Sequence, residues 1–222
     1  MSELDPHVLD ADGALAEAHA GLSRAQLLGA GLAATGALLA LPRRARAAQL
    51  SKTDTDVLNY ALSLEYLQAA FYTEAERSKA IRGKAGEAAK VVGAVERAHV
   101  AAFLDLLGSK AVKRPRFDFQ GVTENPRKFL KTAVAFEDLA VAAYKGQAIR
   151  IESPAVVSAA LGIHTVEARH AAWMRHLYGI KPAVNAFDAP DSKKQVLALV
   201  EDTGFVVDSP RVKAKRKPGY TG

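Results

Sequence analysis

The stretch "GIHTVEARHAAWMRHL", residues 162–177, sets Glu167 and His170 three apart inside a run whose apolar positions recur with a helical period. Side chains three apart on a helix stand on one face, about a turn from each other, so both reach toward a common point. Placing them in the stripe that faces a core is costly, because each ionised group loses its hydration unless something neutralises it there. The fold depends on what that something is.

The same pattern occurs once more, as Glu96 and His99 in "VERAHVAAFLDLL". Two further glutamates stand alone in apolar stripes, Glu65 in "LNYALSLEYLQAAFYTEA" and Glu137 in "AFEDLAVAAYKG". Glu65 precedes Glu96 by 31 residues and Glu137 precedes Glu167 by 30, so the chain reads as one helical hairpin written twice.

Helix boundaries support that reading. The first helix opens near Thr53 with Asp54 or Asp56 as its cap, and the glycine-containing stretch 81–86 turns the chain back into a second helix over 87–107, ended by Gly108. That second helix is expected to bury Val91, Val92, Val95, Val100, Phe103 and Leu107. Asn125-Pro126 and Ser153-Pro154 each pair a capping side chain with a proline at the first helical position, which opens a third helix to about 149 and a fourth to about 178. Between helices two and three, 18 residues rich in proline, glycine and charge (108–125) are long enough to cross a bundle. The expected fold is all-α: a four-helix bundle with a long crossover between helices 2 and 3 and a short C-terminal helix in "DSKKQVLALVEDTGFV".

Four carboxylates and two imidazoles converging on a bundle axis would repel without a counter-charge. Two divalent cations supply it. One glutamate on each of two helices plus Glu-x-x-His on each of the other two is a donor set for a pair of metal ions, and oxygen and nitrogen ligands without sulfur suit two iron or two manganese ions. The rival reading, in which Glu96 and Glu167 pair with Arg97 and Arg169 at the surface, is awkward because residues one and two apart on a helix point about 100° and about 200° round from each other.

The four quoted segments closely resemble the ferritin-like superfamily, specifically the ferritin-like domain family that includes plant desiccation-related proteins, over about residues 54–180. That resemblance implies Glu65, Glu96, His99, Glu137, Glu167 and His170 as metal ligands, with Glu96 and Glu167 bridging. Around them, Gln68 is placed to hydrogen-bond a ligand carboxylate, and His164 reads as a surface histidine or a donor behind a ligand. Tyr72 and Tyr144, each seven residues after a ligand glutamate, read as core aromatics, with electron exchange as the alternative.

The chain has 222 residues, of which 49% are hydrophobic and only 7% aromatic, and it contains no cysteine, which removes disulfides, thiolate metal sites and sulfur-based electron relays. A net charge of +6 comes from dispersed basic residues apart from "PRRARA" (42–47) and the tail "RVKAKRKPG" (211–219), and no nucleic-acid motif accompanies them. Residues 27–41, "LLGAGLAATGALLAL", are uncharged and of the length of a signal-peptide apolar region. With Ser23-Arg24 before them and "ARAA" after, they resemble a degenerate twin-arginine export signal, although five acids and no Lys or Arg precede Ser23. The expected organisation is an export signal over 1–47, a bundle over 48–182 and a C-terminal extension with a basic tail over 183–222, in a protein exported to the periplasm or beyond, with the cytoplasm as the alternative. Expected partners are a small oxidant, O2 or H2O2, with no specific nucleic acid and no membrane span in the mature form; a homo-oligomer is compatible with the sequence. Two functions from different classes remain: oxidation of Fe(II) or other handling of reactive oxygen, and sequestration of metal by a stress-protective helical protein without turnover.

Overall fold

The computed structural model describes residues 50–207, and these are all-helical apart from a single bridge. Five α-helices follow in order: α1 Lys52–Ser78, α2 Gly83–Leu107, α3 Pro126–Ala148, α4 Pro154–Tyr178 and α5 Lys193–Thr203. Two single 3-10 turns, Gly108–Lys110 and Val122–Glu124, lie in the crossover between α2 and α3. The expected four-helix bundle with its long crossover and short final helix is therefore what the chain forms. The proposed export signal and the basic tail lie outside the described residues.

Local chemistry sets most of the ends. Asn125 accepts a hydrogen bond from the Lys128 amide at 3.0 Å, and Ser153 caps the Val156 amide at 3.5 Å, each followed by proline. Gly179 ends α4 with φ 87°, a left-handed position that suits a residue without Cβ. α5 starts with a reciprocal box in which Ser192 caps the Gln195 amide and the Gln195 side chain accepts from Ser192.

Two expected boundaries shift. The cap of α1 is Ser51, whose hydroxyl accepts from the Asp54 amide at 3.0 Å. Asp54 is instead buried, and its carboxylate accepts from the amides of Glu152 (2.8 Å) and Ser153 (3.2 Å), which fastens the start of α4 to the start of α1. α2 begins at Gly83 rather than 87, so the glycines assigned to the turn belong to its first turn. Gly86 has a reason to be there: a Cβ would fall 2.5 Å from the Ile81 carbonyl oxygen.

Side-chain burial also corrects the reading of α2. Val92, Phe103 and Leu107 are buried, Val95 and Val100 are half-buried, and Val91 is 46% exposed. An apolar residue adjacent in sequence to a core position sits about 100° round the helix from it, and here that rotation carries Val91 to solvent. Inside, α1 packs along α2 and α3 along α4, while α1 meets α3 and α2 meets α4 across the bundle.

An aromatic cluster fills one end of the core. Phe71 stacks on Phe129 at 5.1 Å and meets Phe119, Phe136 and Tyr72 edge-on at 5.1–5.4 Å. Phe119 comes from the crossover, and Phe205, from beyond α5, packs on it. The two segments are joined by backbone as well: Asp118 donates to the Phe205 carbonyl at 2.9 Å and Val207 to the Arg116 carbonyl at 3.0 Å, around an isolated antiparallel bridge between Phe117 and Val206.

Between α4 and α5 the chain lies against α3. The Asp191 amide donates to the Ala142 carbonyl at 3.1 Å, and Lys145 donates to the Asp188 carbonyl at 2.7 Å. The approach is close enough that a Cβ at Gly146 would sit 1.9 Å from the Asp191 carbonyl oxygen. This position needs glycine for space rather than for backbone conformation.

Candidate metal centre

α1 and α3 each bring one glutamate to the axis, and α2 and α4 each bring a glutamate and a histidine. Glu65, Glu96, Glu137 and Glu167 are fully buried and His170 nearly so; His99 is half-buried. The structure draws all six together. His99 Nδ1 stands 3.2 Å from Glu65 Oε2, 3.2 Å from Glu167 Oε1 and 3.5 Å from Glu96 Oε2. His170 Nδ1 stands 3.0 Å from Glu96 Oε1, 3.5 Å from Glu137 Oε2 and 3.9 Å from Glu167 Oε2.

Two overlapping sets of donor atoms result, each gathered within 4.8 Å: Glu65, Glu96, His99 and Glu167, and Glu96, Glu137, Glu167 and His170. Glu96 and Glu167 belong to both. Such sharing is what two adjacent cations need from a carboxylate with two oxygens, one offered to each ion. Each set also draws on both hairpins.

Arg97, beside Glu96, does not neutralise it. Arg97 points the other way and donates to Glu76 Oε1 at 2.7 Å. Asp138, next to Glu137, is held by a two-pronged bond from Arg175, with Nε to Oδ1 and Nη2 to Oδ2 both at 2.8 Å. Both oxygens of Glu96, both of Glu167, Glu137 Oε2 and His170 Nδ1 are buried and make no well-aligned hydrogen bond; their near polar neighbours are one another and His99. Unpaired buried polar atoms are rare and costly. Six in one place, all of them metal-donor types, are compatible with a pair of cations.

The electrostatics of the cluster without an ion show the same strain. Burial pushes Glu65 up to about 7, and Glu137 and Glu167 are likewise raised, first by burial and then by the neighbouring carboxylates. Burial acts the same way on Glu96, but its contacts with His170 and His99 outweigh it and hold that carboxylate low. Burial would push both imidazoles down; surrounding carboxylates reverse this and raise His170 to about 10 and His99 to about 12. Without a metal, protons are what neutralises the cluster, and a metal bound here would have to displace them.

The tyrosines are more than packing. Tyr72 of α1 donates to Glu137 Oε1 on α3, and Tyr144 of α3 donates to Glu65 Oε1 on α1 at 2.5 Å. Each hydroxyl is kept protonated well above its usual range, by burial and then by the carboxylate it serves. Each lone glutamate is thereby steadied by the opposite helix, leaving its second oxygen toward the centre. The seven-residue spacing in the sequence did signal the tyrosines, but the crossed pairing is a tertiary fact.

The other two flanking candidates fall differently. Gln68 is buried, but its Nε2 has no partner, so the expected bond to a ligand carboxylate is not made. His164 is half-buried, its Nε2 lacks a partner, and it belongs to neither donor set; burial and then Lys145 keep it below its usual range.

Comparison with known proteins gives the same outline. No curated protein matches the chain. The sequence model described as the ferritin-like domain matches residues 53–179, the stretch that runs from the first turn of α1 to the glycine ending α4 and holds all six converging side chains. The chain belongs to the ferritin-like domain family.

Proposed function

We propose that the cluster holds two metal ions, iron or manganese, ligated by Glu65, Glu96, His99, Glu137, Glu167 and His170 with Glu96 and Glu167 bridging, and that the protein oxidises Fe(II) or otherwise consumes O2 or peroxide. The observation that carries this reading is the set of six buried donor atoms without a well-aligned hydrogen bond, shared between two overlapping groups. Two such ions, when bound, supply two electrons to a small oxidant at one place.

The chain's own part is to hold the ions close and dry. The four glutamates balance the charge of two divalent ions, Tyr72 and Tyr144 fix the lone carboxylates, and Phe71 and its neighbours keep water from one end of the core. Oxidation of substrate Fe(II) transfers one electron per ion to the oxidant, and the protons needed to form water or peroxide come from solvent.

Residues 1–47 fit this role as an export signal that delivers the bundle to the periplasm or beyond. Fe(II) added in air to the full chain, followed by stopped-flow absorbance and oxygen uptake, is expected to show oxidation faster than the protein-free control, with two ions per chain by elemental analysis. Metal bound without oxygen uptake would identify a sequestering protein. No metal in wild type, or unchanged metal in Glu96→Ala and Glu167→Ala, would end the two-metal reading.

A further inference from the structure

The six converging side chains are not equally shut in. The side chains of Glu96, Glu137 and Glu167 are 0% exposed and that of Glu65 1%, whereas His170 keeps 8% and His99 12%. Both imidazoles come from α2 and α4, so the cluster meets solvent on the α2–α4 side. On the α1–α3 side Leu64, Leu67, Phe136 and Ala140 are buried, and the Tyr72 and Tyr144 hydroxyls stand behind the lone glutamates. Phe71, Phe119 and Phe129 fill one end of the core. Packed interiors leave few voids larger than a water molecule, so anything from solution arrives where the packing is thin.

What stands beside each imidazole tells the two apart. The residues four before and three after it share its helical face. Four before is a half-buried valine in each case, Val95 and Val166. Three after, the hairpins differ: Ala102 follows His99 and is exposed, whereas Trp173 follows His170 and is half-buried against the hydrophobic core. The pairs 95 with 166, 99 with 170 and 102 with 173 are each 71 residues apart, so these are matching places. A packed aromatic side chain buries roughly 150–250 Å2 and a methyl far less, and the larger exposure falls to the imidazole beside the methyl. His99 Nδ1 lies 3.2 Å from Glu167 Oε1 of α4, and one turn before Glu167, Ile163 is half-buried too. Val95, Ala102 and Ile163 carry no charge, so this rim sets no electrostatic barrier to a neutral oxidant.

We propose that the cluster is reached through an opening on the α2–α4 side beside His99, with Ala102 as its threshold and Trp173 closing the matching place beside His170. Divalent ions enter there, and so does the small oxidant. That traffic rests on the two-metal reading above; the opening itself does not.

Substituting Ala102 tests this, because an exposed helical position accepts a larger side chain without disturbing the core. The full chain stripped of metal is mixed with Co(II) in a stopped-flow instrument and the ligand-field absorbance followed. Ala102→Trp is expected to slow uptake about tenfold, a barrier higher by about 1.4 kcal/mol, and Ala102→Leu to slow it less, both reaching the wild-type stoichiometry. Ala101→Trp adds the same indole about 100° further round the helix from His99 and is expected to leave the rate alone. In the metal-free chain, X-ray hydroxyl-radical footprinting read by mass spectrometry is expected to oxidise His99 in wild type and in Ala101→Trp, and several-fold less in Ala102→Trp. Unchanged Co(II) uptake in Ala102→Trp, or equal slowing in Ala101→Trp, overturns the proposal, as does unaltered oxidation of His99. A wild-type chain that takes up no Co(II) removes the two-metal reading, while the footprint still decides whether the opening exists.

Discussion

Exchanging Glu96 for glutamine and exchanging Glu65 for glutamine remove the same single charge, yet the geometry separates them. Glu96 serves both donor sets and Glu65 only one. Glu65→Gln is expected to retain one ion per chain and Glu96→Gln neither, as read by elemental analysis after dialysis; equal losses would contradict the shared role of Glu96. Tyr144→Phe tests the layer behind the proposed ligands. Removing a partner of a ligand typically weakens metal binding about 10–100-fold, and a chelator competition should show that range with the stoichiometry intact. How much of this was legible in the sequence depends on how far each signal extends. Glu-x-x-His is local, and its repetition at matched intervals identified the six residues. The hydrogen bond from Tyr144 to Glu65 joins α3 to α1, and no spacing within a helix encodes it. Gln68 failed as a carboxylate donor for the same reason: one turn after Glu65 is the right height, but its amide nitrogen finds no partner in the packed seam.

At the scale of elements, the sequence showed its helix ends where polar caps and prolines mark them and hid them where geometry is made by packing. Asn125-Pro126 and Ser153-Pro154 opened α3 and α4 as read. The start of α2 was read late because Gly83 and Gly86 look like a linker, although Gly86 is there to admit the Ile81 carbonyl. Gly146 carries a comparable message about the segment before α5. Gly146→Ala would gain up to about 1 kcal/mol of helix propensity, but its methyl would meet backbone at 1.9 Å, and overpacking of this kind costs about 1–3 kcal/mol. Net destabilisation is expected by thermal melt, with faster proteolysis between Ile180 and Asp191 and unchanged metal content. A stabilised variant would mean that this segment does not press on α3.

For the whole molecule, protons and the proposed metal ions would compete for one buried cluster. Glu65 keeps its proton up to about pH 7 in the folded state against an ordinary 4.5, and His170 up to about 10 against 6.5. The metal-free folded chain thus holds protons that the unfolded chain has lost. Its stability is fullest below the unfolded values and falls as pH rises through the folded ones, by up to about 1.4 kcal/mol per pH unit for each retained proton. Metal bound as proposed would take the place of these protons, so the difference in Tm between loaded and chelated protein is expected to widen from pH 5 to pH 8. A difference that narrowed over that range would show that the buried groups titrate in the opposite sense. No helix among the described residues is long and apolar enough to cross a membrane.

The division into two hairpins has a kinetic consequence. Contacts within α1–α2 and within α3–α4 are closer along the chain and are expected to form first, whereas each donor set is completed only when the halves have docked. Ions that bind after the rate-limiting barrier leave the refolding limb of a chevron where it was and slow only the unfolding limb. Adding metal should therefore lengthen the lifetime of the native state without hastening its arrival.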